Sequence, residues 1–227
     1  MAFIITVAQR KGGAGKTTLC CQLTAAFIAR GVNVAAMDLD DQHSFSHWAA
    51  VREERLGALD FGLDSAKGFA ISSSVRRARH ADVVIIDTPP TIDSTVTRAV
   101  GVADLVLAPL QLTSLDLDAS LPTARMIGQA RKEALFVINR APPRARIADQ
   151  IREKIIEHGL PVAKTALGNR SAYAETLATG RSVAETARTS PAALEIEALT
   201  VELLKKAGLP TRRPAPARKP VRGVNAA

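Results

Sequence analysis

An apolar run, Phe3-Ile4-Ile5-Thr6-Val7-Ala8, leads directly into Lys11-Gly12-Gly13-Ala14-Gly15-Lys16-Thr17-Thr18, and an apolar-periodic stretch with Leu19, Leu23, Ala26 and Phe27 follows at once. Strand, glycine-rich turn and helix in this order restrict the fold more than any other feature of the chain. Successive N–H groups at a helix N-terminus form a nest for an anion, and glycines let the backbone wrap a phosphate chain without Cβ clashes. Lys16 adds a mobile positive charge, and the Thr17 hydroxyl is placed to ligate Mg²⁺. The pattern predicts a nucleoside triphosphate site.

The common form G-x4-G-K-[ST] does not fit, because its first glycine falls on Arg10. K-G-G-x-G-K-T-T fits instead, and ordinary residue frequencies would produce it by chance in about one such chain in ten thousand. The dinucleotide fingerprint G-x-G-x-x-G is excluded, since Thr18 stands where its last glycine belongs.

Apolar β-rich runs alternate with helical patterns along the chain. Strands are expected near 3–8, 33–38, 82–87, 104–108, 134–139 and 162–166, and helices over 17–29, 44–56, 68–79, 93–101, 116–131, 145–158 and 191–207. Such alternation predicts an α/β fold, a doubly wound and mainly parallel sheet with helices on both faces. Ligands then bind outside the carboxyl ends of the strands. Val83-Val84-Ile85-Ile86 ends in Asp87, which puts a carboxylate at that edge, able to hold a water of the Mg²⁺ shell opposite Thr17. Thr88-Pro89-Pro90 makes a stiff turn beside it. Asp38 and Asp40 stand one residue apart, so strand alternation aims both the same way. His43 and His47 lie four apart beside these acids, but Mg²⁺ already accounts for the carboxylates and no transition-metal site is assigned.

With a lysine at the start of the loop, the chain resembles the deviant Walker A ATPases of the ParA/MinD family. The segments Asp38-Leu39-Asp40-Asp41-Gln42, Val83 to Pro90 and Phe136-Val137-Ile138-Asn139-Arg140 agree in order and spacing. The likeness runs from about residue 3 to about residue 207 and is greatest to small ParA-type proteins without an N-terminal helix-turn-helix domain. It implies ATP and Mg²⁺ as cofactors, with Lys11, Gly12, Gly13, Ala14, Gly15, Lys16, Thr17 and Thr18 around the phosphates. It further implies that Asp38 joins Thr17 and Asp87 near the metal, that Asp40 orients the attacking water, and that Lys11 reaches the partner's phosphates in an ATP-dependent homodimer. By the same resemblance Asn139, Arg140 and the loop Ala141-Pro142-Pro143 hold adenine. Asp41 departs from the family's usual proline, which bears on the shape of that loop.

The resemblance also implies nonspecific DNA binding by a nucleoid-associated, cytoplasmic protein that positions a cargo with help from an ATPase-stimulating partner. Arg170 matches the stretch carrying one such DNA-binding arginine, with Arg181, Arg188, Lys205 and Lys206 as further candidates. A MinD-like membrane-cycling ATPase and a nucleotide-gated protein scaffold are the alternatives. The stripe Leu194, Ile196, Leu199, Leu203 and Leu204 reads as packing on the sheet, and a proline-rich tail follows it rather than a terminal amphipathic helix, which disfavours membrane anchoring.

The 227 residues suit one domain, which buries roughly 70% of its unfolded surface. The formal charge is +8, and Arg212, Arg213, Arg218, Lys219 and Arg222 concentrate much of it in 211–227 without an acid. The expected division is therefore a P-loop ATPase domain over 1–210 and a disordered basic arm over 211–227, either solubilising or adding affinity for DNA. Cys20 and Cys21 are adjacent, so they cannot staple a loop and read as small apolar groups of a reducing compartment. They also argue against a cluster-bearing iron–sulfur reductase. The short N-terminal apolar run reads as a core strand, not a signal peptide.

Overall fold

The computed structural model describes residues 1–65, 68–111, 114–142, 145–212 and Pro214, without the side chains of 69, 114–119, 145–148 and 151. The first half of the chain forms β1 (Phe3–Val7), α1 (Lys16–Ala29), β2 (Val34–Asp38), α2 (Ser44–Leu56), β3 (Gly62–Asp64), α3 (Ile71–Arg77), β4 (Val83–Asp87) and α4 (Ser94–Val102). Then come β5 (Leu105–Leu110), α5 (Ser114–Gln129), β6 (Glu133–Ile138), α6 (Ala145–Glu157), α7 (Ala172–Leu177), α8 (Val183–Thr186) and α9 (Pro191–Lys206). Short 3-10 turns, Gly68–Ala70 and Ala78–His80, flank α3. Of the predicted arm, only Thr211, Arg212 and Pro214 fall within the described residues.

All pairings in the six-stranded sheet are parallel, in the order β3-β2-β4-β1-β5-β6. The hand of the crossovers distributes the helices. From β1 the chain winds one way to β2 and β3 through α1 and α2, then returns the other way through α3, α4 and α5. Right-handed crossovers in opposite directions must lie on opposite faces. Side-chain alternation agrees with this. Ile5 and Val7 of β1, Val83 and Ile85 of β4 and Leu105 and Leu107 of β5 join α1, α2 and α9 in the largest core. Their neighbours Val84, Ile86 and Val106 meet α3, α4 and α5 in smaller clusters on the other face. The fold is the doubly wound α/β architecture expected from the sequence.

Two local differences have physical causes. The segment 162–166, expected as a strand, runs parallel to β6 but forms only an isolated bridge, Phe136 to Val162, with a second, Ala141 to Gly168, just beyond it. Its middle is satisfied elsewhere: Lys164 N donates to the Glu202 carboxylate at 3.1 Å, and the Lys164 carbonyl accepts from Arg152 at 2.9 Å. Strand β3 has no counterpart among the expected strands, since three residues at a sheet edge are too few to show alternation.

A buried ion cluster joins α2 to the C-terminal segment. Arg52, 2% exposed, donates to Asp60 at 2.7 and 2.8 Å, to Glu185 at 3.0 and 2.9 Å and to the Gly180 carbonyl at 3.1 Å. Its guanidinium also lies 5.4 Å from the centre of the Trp48 ring. Removing one member of such a buried set leaves uncompensated charge. Arg52→Ala is expected to cost about 3–5 kcal/mol of stability, read as a lower urea midpoint, whereas Arg55→Ala, an exposed neighbour on α2, should change it by less than about 1 kcal/mol.

Candidate nucleotide site

The loop between β1 and α1 is shaped by backbone conformation. Gly13 and Gly15 have φ of 70° and 95°, the left-handed region that side chains disfavour. At Gly15 a Cβ would also stand 2.4 Å from Asn139 Nδ2, so glycine is required there twice over. Gly15 is the N-cap of α1, with no side-chain cap, and the first turn holds no acid. The leading N–H groups of this long helix are thus presented to the loop, where a phosphate chain would meet them.

Side chains from three strand ends hold the loop from outside. Gln9 Nε2 donates to Ser120 Oγ at 2.9 Å, and its Oε1 accepts from Thr123 Oγ1 at 3.0 Å. Gln111, just after β5, donates to the Gly13 carbonyl at 2.9 Å and accepts from Lys11 Nζ at 3.3 Å. Asn139, after β6, donates to the Ala14 carbonyl at 2.8 Å and accepts from Arg140 N at 2.9 Å. Gln111 is not among the site residues expected from the sequence, where a lone glutamine after an apolar run carries no signal. Asn139 is among them as an adenine contact, but its amide is engaged in bracing the phosphate loop. Arg140 is exposed, with φ of 54°.

Charge is buried at the carboxyl edge. Lys16 is 6% exposed, and burial pulls its ammonium below the ordinary lysine value against the opposing charges of Asp87 and Asp40. Asp87 is wholly buried, and neither of its oxygens has a hydrogen bond of good geometry. Burial pushes its carboxyl up to about 7, helped by the like charge of Asp38, while the nearby Thr17 hydroxyl, Lys16 and the Cys20 thiol oppose the shift. Asp38 sits opposite Asp87 in the β2–β4 register.

Asp38, expected beside the metal, is already engaged. Its Oδ2 accepts from Ser46 N at 2.8 Å and Ser46 Oγ at 2.7 Å, and its Oδ1 from Asp40 N at 3.1 Å. It shapes the loop that presents Asp40. That loop closes without proline: Asp40 Oδ1 accepts from Gln42 N at 3.0 Å, the Asp40 carbonyl from His43 N at 2.9 Å, and His43 takes φ of 51°. Thr88, fully buried, donates to the Val7 carbonyl at 2.9 Å and so ties the ends of β4 and β1.

A cation fits this arrangement. An orphaned, buried carboxylate faces the Thr17 hydroxyl at the entrance of the phosphate loop, and oxygen donors of this kind suit Mg²⁺. Among the described residues no group of three or more His, Cys, Asp or Glu side chains gathers to enclose a metal. Thr17 and Asp87 would hold the ion.

Beside the loop opens a cavity of about 390 Å³ whose lining includes Gly15, Thr18, Asn139, Arg140, Arg170 and Tyr173. Pro143, expected near adenine, lies outside the described residues. Arg170 thus borders the nucleotide cavity. It pairs with Glu195, Nη2 to Oε1 at 2.6 Å and Nε to the two oxygens at 3.0 and 3.2 Å. Tyr173 OH donates to the same carboxylate at 2.6 Å, and so does Gly168 N at 2.9 Å. Burial pushes Glu195 up, but the bonds from Arg170, Tyr173 and Gly168 outweigh it and leave the carboxyl below its ordinary value. Of the other expected DNA contacts, Arg181 donates to the Glu185 carbonyl at 3.1 Å and Lys206 pairs with Glu133. Lys205 and Arg188 are exposed, and Arg188 also has contacts within the chain.

Fold and loop together define a P-loop nucleotide-binding protein of the doubly wound class. The chain belongs to the CobQ/CobB/MinD/ParA nucleotide-binding domain family, whose profile matches residues 5–183. It is 31% identical over 210 residues to the maintenance of carboxysome distribution protein A of Halothiobacillus neapolitanus, covering 89% of this chain and 97% of that one. It is 28% identical over 238 residues to the chromosome-partitioning ATPase Soj of Thermus thermophilus, covering 89% and 95%. Its fold is similar to that of the septum site-determining protein MinD of Pyrococcus horikoshii in complex with Mg-ADP (TM-score 0.70, 17% identity, 92% and 98% covered).

The raised Asp87 carboxyl makes a pH prediction for protein without nucleotide or Mg²⁺. Its folded value, about 7, lies above the unfolded value near 3.8, so the native state binds the extra proton between them. Stability must then fall as pH rises through that window, by on the order of a few kcal/mol. Unfolding measured from pH 5 to 8 should show this slope, and Asp87→Asn should flatten it.

Proposed function

We propose that the protein is a Mg²⁺-dependent ATPase whose ATP-bound homodimer binds DNA without sequence preference and positions a cargo, and that hydrolysis resets it. The observation that carries this reading is Lys11. It stands at the loop entrance, 3.3 Å from Gln111, while Lys16 alone is buried against the carboxylates of its own site. A second lysine at the mouth of the loop, held there by Gln111 and other contacts within the chain, can exchange those contacts for a phosphate presented by another subunit.

The surroundings of each residue support the task assigned to it. The N–H groups of the loop and α1 bind the phosphates, and Lys16 neutralises them. Mg²⁺, when bound, would draw charge from the β- and γ-phosphate oxygens. Thr17 and Asp87 orient that ion. Asp40, fixed by its own turn, positions the water that attacks in line. Lys11 of the facing subunit adds positive charge where it develops in transfer, as an arginine finger does. Asp38 acts through the loop it organises.

The carboxysome-distribution and chromosome-partition relatives support a positioning role, and the cargo is a plasmid, a chromosome region or a protein assembly, with a partner that stimulates turnover. Membrane cycling is less well supported. Ile196, Leu199, Leu203 and Leu204 of α9 are buried in the main core and only Leu194 is exposed. No helix among the described residues is long and apolar enough to cross a membrane.

Lys16→Ala should abolish ATP binding, whereas Asp40→Ala should bind ATP, lose hydrolysis and persist as a dimer by light scattering. Hydrolysis by Asp40→Ala at the wild-type rate would remove the water-positioning role. Lys11→Ala is expected to lower dimerisation and turnover together while each subunit still binds ATP by calorimetry.

A further inference from the structure

From Ser65 to Ala81 the chain contains Lys67, Arg76, Arg77, Arg79 and His80 and no acidic residue. Arg76 and Arg77 form the last turn of α3, and Arg79 and His80 lie in the 3-10 turn that continues it; all four are exposed. The opposite side of this helix is apolar and packed. Ile71 is fully buried, and Val75 and Ala78 lie on Met37, Val84 and Ile86 of the sheet. The basic side is therefore held outward by core packing.

The neighbouring acids neutralise it only in part, at Arg77. Asp64 pairs with Arg77 at 2.5 Å, and Asp82 accepts from Asn33 N at 2.9 Å. Asn33 also donates to the His80 carbonyl at 2.9 Å, which pins the turn. Among the described residues the Arg76 side chain has no hydrogen bond or ion pair, and the Arg79 side chain meets only the His80 ring, at 3.4 Å. The arginines expected from the sequence to contact DNA are in another condition: Arg170 is held by Glu195, and Lys206 by Glu133.

We propose that Arg76 and Arg79, flanked by Arg77 and His80, form a phosphate-backbone binding surface for duplex DNA at the sheet edge opposite the nucleotide site. This rests on the DNA-positioning reading above. His80 closely precedes the first residue of β4, and Asp87 ends that strand at the phosphate loop. Five strand residues, about 16 Å, thus separate the two edges, so DNA seated here leaves the nucleotide face open for a partner subunit. A two-fold dimer presents the surface twice. The described side chains of α3 include no aromatic for base stacking, so contact is to phosphates and indifferent to sequence. Its apolar residues face the sheet, leaving the helix nothing to insert into a bilayer.

The test is binding of a labelled duplex of mixed sequence by the full chain with Mg²⁺ and a non-hydrolysable ATP analogue, over a series of salt concentrations. Arg76→Gln/Arg79→Gln should weaken binding at least tenfold and lower the magnitude of the salt slope by about 0.9 for each phosphate that is no longer neutralised, while light scattering still reports the dimer. Arg76→Glu/Arg79→Glu should weaken it further. If the Gln pair binds like wild type while Arg170→Gln or Lys206→Gln loses tenfold, the surface is wrong. Wild-type protein that sediments with phosphatidylglycerol vesicles and ignores duplex would overturn the choice of ligand. Wild type that binds neither in any nucleotide state would refute the DNA-positioning reading itself.

Discussion

Helix α1 is at once the centre of the main core and the receptor for an anion, and the rest of the site depends on this double duty. Ten of its residues are buried, so its start is fixed relative to the sheet. No side chain caps that start and no acid lies in its first turn, so its N–H groups are left for a ligand. The loop before it would be slack without outside support. Gln111 and Asn139 supply it by taking the Gly13 and Ala14 carbonyls, and both stand at strand ends whose register the sheet sets.

The same packing creates an electrostatic problem that a bound cation would relieve. Asp38 and Asp87 end adjacent strands side by side, so their charges meet in a place nearly closed to water. Ser46 and the backbone satisfy Asp38, and Asp87 is left without a hydrogen bond of good geometry. Burial of an unsatisfied carboxylate is costly, and the carboxyl holds its proton up to a pH of about 7. A site built in this way is poised for a cation and weakly satisfied without one. The buried thiols of Cys20 and Cys21 lie under the same field, and burial followed by the charge of Asp87 pushes both well above their ordinary values. They are packing groups, unlike reactive cysteines, which need a stabilised thiolate.

The C-terminal segment is fastened to the nucleotide half by buried polar contacts. Gln22, on α1 one turn beyond Thr18, donates to Thr176 Oγ1 at 2.9 Å and the Tyr173 carbonyl at 3.1 Å, and accepts from Val183 N at 2.9 Å. Arg52 clamps α8 from α2, and a Cβ on Gly180 would meet the Arg52 backbone at 2.5 Å. Residues 170–185 are therefore set by the helices that follow the phosphate loop and the Asp38–Asp40 loop. Their cations hold that arrangement together, which is why their exposure and charge alone are poor guides to an outside ligand.

Much of this could be read from the chain itself. Apolar runs interrupted by helical patterns determined a parallel doubly wound sheet, because strands buried on both faces must be continuously apolar. Lys11 to Thr18 determined the phosphate loop, because its geometry is local and needs glycine where φ is positive. Asp87 was legible for the same reason, as the charged end of a buried strand. Tertiary structure alone decided which side chains brace that loop: Gln111 and Gly13 are 98 positions apart, Asn139 and Ala14 are 125 apart, and no local pattern records such pairs. It also decided that Asp38 is satisfied by Ser46 while Asp87 is not, and that Arg170 is paired while the Arg76 side chain has no partner among the described residues. A charge's role depends on what lies within a few ångströms of it, and in a crossover fold those neighbours come from distant parts of the chain.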